Sequence, residues 1–200
     1  VLLGLGRTQA AQTDLERAVE LGGSDALGTL AAAHLKLLEQ DAKGARGLYE
    51  HTLSRRPDDA TRAAATRGLA RALLDLGENK RASKLAREAQ KLDAHSPASH
   101  LLVAEARERV RPDRKASLAD LSRALRLDPG FPRALALRSS LELQAGERDA
   151  AQRTAEKSLE RDSGQTLARL TLAQLSKDSG RLTEASKHVE AAVAGARGGE

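Results

Sequence analysis

The sequence predicts an all-α fold, a right-handed α-solenoid of stacked antiparallel helix pairs. Three observations predict it. First, the chain repeats itself at a spacing of thirty-four residues: Gly180 follows Gly146, Ala185 follows Ala151, Ala192 follows Ser158, and Ser158 itself follows Ala124 by that interval. A fixed period of this size marks an array of helical repeats. Second, apolar residues recur at helical spacing within each period, as in Leu69, Leu73 and Leu76, and each run is broken by glycine or proline. Third, the chain has one Tyr, one Phe and no Trp, Met or Cys among its 200 residues. Its core must therefore be filled by many Leu–Ala contacts, which suits small helical units stacked on one another.

Taken in order, residues 1–25 hold the end of one helix, a turn at Gly6 and a second helix stopped by Gly22 and Gly23. The next pair covers about 26–39 and 42–55 and is closed by Arg56 and Pro57. A three-residue insertion at the following loop leads to a pair at about 61–76 and 79–92. Ser96 and Pro97 open the pair 98–110 and 114–127, whose turn is Arg111-Pro112-Asp113. The last pairs cover about 132–145 with 148–161 and 166–179 with 182–194, and the tail AGARGGE is expected to fray.

Set in register, the units are 1–25 (partial), 26–59, 63–96, 98–131, 132–165 and 166–199. Repeat position 20 is Ala11, Ala45, Ala82, Ser117, Ala151 and Ala185, and position 27 is Ala18, Thr52, Ala89, Ala124, Ser158 and Ala192. Small residues stand where helix axes must approach closely. Position 15 is Gly6, Gly77, Gly146 and Gly180, with Gln40 and Pro112 departing, and position 32 is proline in Pro57 and Pro129. This pattern resembles the tetratricopeptide repeat (TPR), with five full repeats and a truncated first one. The resemblance spans nearly the whole chain and implies a single array serving as a scaffold for protein binding. The repeat's usual aromatic positions are mostly lost.

The initiator methionine is absent and Val1 falls in mid-helix, so the chain is expected to be a piece of a longer protein. The formal charge is +5: residues 1–25 carry 2 basic and 4 acidic side chains, whereas 63–97 carry 7 and 4. Acidic partners are favoured by that balance. The absence of cysteine fits the cytoplasm or the periplasm equally and excludes disulfides, thiol catalysis and cysteine metal sites. No apolar run approaches the roughly 20 residues of a membrane span.

No catalytic constellation emerges. His34, His51, His95, His100 and His188 are scattered, and the pair His95 and His100 lacks the helical spacing of a metal site. They are read as surface or groove residues. Asp58, Asp59 and Asp113 sit in turns, where short acids cap helices. The basic run Lys80, Arg81, Lys84, Arg87 and Lys91 lies on a second helix without interleaved aromatics, a solvated face in preference to a nucleic-acid footprint. No cofactor or metal is expected. Arg138 occupies an apolar repeat position, and an unpaired buried guanidinium is costly, so an ion pair with Glu105 or Glu108 is expected.

In the family resembled, the concave face is lined by positions 2, 5, 9, 12 and 13 of each first helix. Here that places Leu27, Leu30, His34, Arg67, Arg71, Leu102, Arg109, Arg133, Ser140, Leu170 and Gln174 in the groove. The lysine–asparagine carboxylate clamp of some family members is absent. Apolar ground with basic points suits an acidic, amphipathic segment laid in as a helix or extended chain. The expected function is a non-enzymatic scaffold holding another protein, in a bacterial assembly, secretion, pilus or polarity system. The alternatives are an array that oligomerises through its end helices, and a nucleic-acid-associated module. Weak self-association through the ends is expected because Leu182, Ala185, Val189, Ala192 and Val193 form an apolar stripe on the last helix and Val1, Leu2, Leu3 and Leu5 belong to a helix cut in half.

Overall fold

The computed structural model describes residues 13–14, 16–17, 19–21 and 25–197. The expected features at Gly6, Ala11, Ala18, Gly22 and Gly23 lie outside the described residues, as does the end of the tail. From Asp25 onward the described chain is a succession of helices. They are α1 (Ala26–Leu38), α2 (Ala42–Ser54), α3 (Asp59–Asp75), α4 (Asn79–Leu92), α5 (Pro97–Val110), α6 (Arg114–Leu127), α7 (Pro132–Gln144), α8 (Arg148–Arg161), α9 (Thr166–Asp178) and α10 (Leu182–Arg197). No strand occurs among the described residues. Odd-numbered helices are the first and even-numbered helices the second members of successive repeats, and the fold is an all-α array of helix pairs.

Local chemistry sets the boundaries. Asp25, Asp41 and Asp58 each accept a hydrogen bond from the backbone N–H three residues on, of Gly28, Gly44 and Thr61, at 2.6, 2.8 and 2.9 Å. Asp113 does the same for Ala116 at 3.0 Å. These caps satisfy donors that the first helical turn leaves unpaired. Asp58 also accepts from the Thr61 hydroxyl, and these bonds hold its carboxyl below the usual carboxylate range. Its cap starts α3 at Asp59, earlier than the apolar periodicity alone suggests.

The turn inside four of the repeats is one device used four times. The residue at repeat position 15 has a left-handed backbone: Gly77 at φ 77°, Gly146 at 81°, Gly180 at 75°, and Gln40 at 60°. Its N–H donates three residues back, and the next N–H donates five residues back, as in Gly77 to Leu74 and Glu78 to Leu73. This double bond pattern ends a helix and sends the chain antiparallel. Gln40 adopts it despite its Cβ.

The chain divides into two compact units, residues 6–117 and residues 118–200. In the first, α1 packs on α2, α3 on α4, and each second helix on the next first helix. First helices also lie side by side, α1 with α3 and α3 with α5. The core joins Leu30, Tyr49, Leu69, Leu73, Leu74, Leu102 and Val103 to alanines from every helix between α1 and α5. In the second unit, α7 and α9 lie side by side, and Ala136, Ala151, Ala155, Ala168, Leu172 and Leu175 form the core with Leu143 and Leu159 against it. Every described residue at repeat positions 20 and 27 is buried, where alanine-sized side chains permit close axes.

Candidate functional site

In residues 6–117 the first helices α1, α3 and α5 carry the face expected to hold a partner. Leu27 is 61% exposed there. Leu30 and Leu102 are instead buried in the core, packing the helices together and leaving no surface for a groove. His34 is half-buried with its ring edge-on to Tyr49, centroids 5.5 Å apart at 74°. Burial, helped by the Arg67 charge, lowers its pKa from the ordinary 6.5.

The expected basic points of this unit are engaged by the protein itself. Arg67 donates to Ser96 Oγ at 3.3 Å and lies 3.6 Å from Asp93. Arg71 bridges Asp75 at 3.1 Å and Glu105 at 3.0 Å. Arg109 donates to the Leu74 carbonyl at 2.6 Å, capping the C-terminal turn of α3. These arginines therefore tie neighbouring helices together, which corrects their reading as open charges awaiting an acidic partner. A sequence signal existed: Arg71 and Glu105 stand one full period apart, so stacking makes them neighbours.

Stacking of α2 against α4 also builds a four-charge ring that inspection residue by residue misses. Arg46 reaches Glu50 at 3.2 Å and Glu78 at 2.7 Å, while Arg81 reaches Glu50 at 2.8 Å and Glu78 at 3.7 Å. It staples α2 to α4 and engages one member of the basic run. Beside it a cleft of about 490 Å³ is lined by residues including Glu78, Asn79, Lys80, Arg81 and Arg109. Arg81 and Arg109 are already bonded within the fold.

In residues 118–200 the face of α7 and α9 is different. Leu167 and Leu170 on α9 are 37% and 45% exposed, and Gln174, one turn on, is exposed while donating to Asp178. The opposite stripe of α9, Ala168, Leu172 and Leu175, is buried. Arg133 is exposed at the start of α7, and Ser140 on α7 is partly buried. Of the expected groove residues, Leu170, Gln174, Arg133 and Ser140 thus share this unit.

Three other expectations change. His100 is not a surface residue: it is buried, its Nε2–H donates to the Ala94 carbonyl at 3.0 Å and its Nδ1 accepts from Gln90 at 2.8 Å. Glu108 accepts the Ser117 hydroxyl at 2.5 Å, and Glu105 takes Arg71. Arg138 is half-exposed and finds its acid in its own helix, Glu142, at 2.6 Å one turn on. Glu142 is the buried member, and its second oxygen Oε2 has no protein partner.

Among the described residues no group of three or more His, Cys, Asp or Glu is placed to hold a metal. No helix among them is long and apolar enough to cross a membrane.

Helix pairs closed by a left-handed turn, small residues at the crossings and first helices side by side define a helical-repeat array. The chain has the tetratricopeptide-repeat fold. It resembles the crystal structure of TTC0263, a thermophilic TPR protein of Thermus thermophilus, at 22% identity over 86% of this chain and 92% of that one, with a TM-score of 0.73. It also resembles MamA from Desulfovibrio magneticus RS-1 (residues 41 to the end) at 15% identity over 88% and 98%, TM-score 0.61. A third likeness is YrrB, described as a TPR protein with an unusual peptide-binding site, at 18% identity over 90% and 91%, TM-score 0.55. No family model and no curated protein matches the sequence. At these identities the likeness establishes the fold alone.

Proposed function

We propose that this protein is a non-enzymatic scaffold that holds a segment of another protein against the first helices of its repeats. The observation that carries this reading is on α9. Leu167, Leu170 and Gln174 form an exposed stripe at helical spacing, back to back with a stripe that is fully packed. Exposed leucines aligned on one face form a docking surface more readily than leucines scattered singly. Lys177 is exposed on the same helix, one turn beyond Gln174, so an amphipathic segment with apolar anchors and acidic flanks fits best. In YrrB the same fold is described as bearing a peptide-binding site. The repeat register, interrupted between 59 and 63 and between 96 and 98 but continuous from 98 to 199, supports reading the chain as a single array, and the bacterial sources of neighbouring folds favour a bacterial assembly system.

The test is selection of random displayed peptides on the immobilised protein, repeated with Leu170→Asp. Recovered peptides should carry apolar residues three and four apart among acids, and should lose binding to the variant while its helical circular dichroism persists. Peptides that bind Leu170→Asp and Leu167→Asp as well as the parent would refute the α9 site.

A second reading, self-association through the last helix, draws on a separate observation: Leu182, Val189 and Val193 on α10 are 67%, 43% and 44% exposed.

A further inference from the structure

The outer face of α4 carries a line of cations that the fold leaves unpaired. Lys80, Lys84, Arg87 and Lys91 follow one another at intervals of four, three and four, and all are exposed. They stand on the side of the helix opposite Ala82, Ala86 and Ala89, which are buried and seat α4 between α3 and α5. Among the described residues none of the four has an ion pair or a side-chain hydrogen bond. Nearby acids are committed to other bases: Glu50 and Glu78 to Arg46 and Arg81, and Asp93 to Arg67. Glu88, exposed beside the line, is the exception. The cleft at the start of α4 sets Lys80 beside Val110 of α5, and Arg111, Arg114 and Lys115 come next in the chain, exposed and without ion pairs. Like charges one turn apart weaken a helix, so this line answers no need of folding.

Its chemistry selects a polyanion, and what the face lacks narrows the class. No large apolar side chain is exposed on α4, so there is no anchor for a protein partner or for insertion into a bilayer. Missing aromatics remove base stacking, which single strands require. A duplex is held through its phosphates and needs neither feature. From Lys80 to Lys91 the line spans about 16 Å at the rise of an α-helix. Over that length one strand of a duplex presents about five phosphates, close to one for each cation. A packed helix also holds its cations at fixed intervals, which suits a strand of regular charge. A fluid lipid surface gains nothing from such spacing.

We propose that the outer face of α4 binds the phosphate backbone of double-stranded nucleic acid, without regard to sequence, through Lys80, Lys84, Arg87 and Lys91. This surface is independent of the α9 docking face, and Leu170→Asp should leave it intact. The test is fluorescence anisotropy of a labelled DNA duplex of about 20 base pairs, titrated with the protein at several salt concentrations. Duplexes of unrelated sequence should bind alike. The logarithm of the binding constant should fall with that of salt at a slope of at least about 4, since each neutralised phosphate contributes about 0.9. Lys84→Gln and Arg87→Gln should each reduce the slope by about 1. Lys157→Gln, exposed on α8, removes the same charge and should leave the slope unchanged. Absence of binding at low salt would overturn the proposal, as would a slope that Lys84→Gln and Arg87→Gln do not alter or that Lys157→Gln alters equally. Vesicles of phosphatidylserine and phosphatidylcholine are the second probe. Capture by the vesicles in preference to the duplex would make the face a lipid surface and overturn the proposal.

Discussion

The phenol ring of Tyr49 on α2 occupies the space that a side chain on Gly68 of α3 would need. A Cβ built on Gly68 collides with the ring and its hydroxyl, and Tyr49 is fully buried without a partner for that hydroxyl. The only tyrosine of the chain is thus accommodated by a glycine in the middle of a helix, where glycine is otherwise unfavourable. Burial drives the phenol pKa far upward, so the ring stays neutral. Gly68→Ala should destabilise the fold by about 2 kcal/mol through overpacking. In a Tyr49→Leu background the same change should cost much less, because the two sites are coupled. Tyr49→Phe should raise stability by about 1 kcal/mol by removing an unsatisfied buried hydroxyl. Chemical denaturation of the parent and the four variants, Gly68→Ala, Tyr49→Leu, their combination and Tyr49→Phe, checks all three.

Gln40 and Gly146 hold the same turn position with different success. Both have left-handed backbones, at φ 60° and 81°, but only glycine adopts that region without cost. Gln40→Gly should therefore stabilise by about 1 kcal/mol net of glycine's added unfolded-state entropy, and Gly146→Ala should destabilise by a similar amount. Melting curves of the two variants should move in opposite directions.

The pair Arg138 and Glu142 is asymmetric, with the acid buried and the base half-exposed. Removing the base strands a buried carboxylate, so Arg138→Ala should cost about 2 kcal/mol, below the range for fully buried pairs because Arg138 is partly solvated. Glu142→Leu removes the stranded oxygen as well and should be neutral or stabilising. A larger loss for Glu142→Leu than for Arg138→Ala would mean that Oε2 has a role the fold does not display.

His34 should make stability depend on pH below neutrality. Its folded pKa lies below the ordinary 6.5 because burial and then Arg67 disfavour the charged ring. The unfolded chain therefore binds the proton more readily between those two values. Stability from this group is complete above about pH 6.5 and declines as pH falls toward the folded value. Asp58, whose folded pKa is depressed, adds a loss at lower pH, below the usual carboxylate range. His34→Phe should flatten the upper part of the profile, measured as denaturation midpoints across pH.

Periodicity made the fold legible because stacking places every repeat in one environment: the small residues at Ala45, Thr52, Ala82, Ala151 and Ser158 are all buried where the register puts them. The site was less legible, since register gives a residue's face but not its partners. Arg71 and Arg109 stand on the expected helices and are engaged by Glu105 and the Leu74 carbonyl. Glu142 and Gly68 look ordinary in sequence because burial of a carboxylate and contact with one tyrosine depend on tertiary packing. Burial of His100, in place of the expected surface or groove position, is invisible to the register because its bonds come from Gln90 and Ala94 across a turn.

Peptide capture on α9 is tested most directly by methyl NMR of leucine- and valine-labelled protein, titrated with an acidic amphipathic peptide from the selection. Shifts concentrated at Leu167 and Leu170, with Leu182 and Val189 on α10 unmoved, are expected. Saturable binding whose largest shifts fall on α10, with Leu167 and Leu170 unchanged, would contradict the assignment of the docking face.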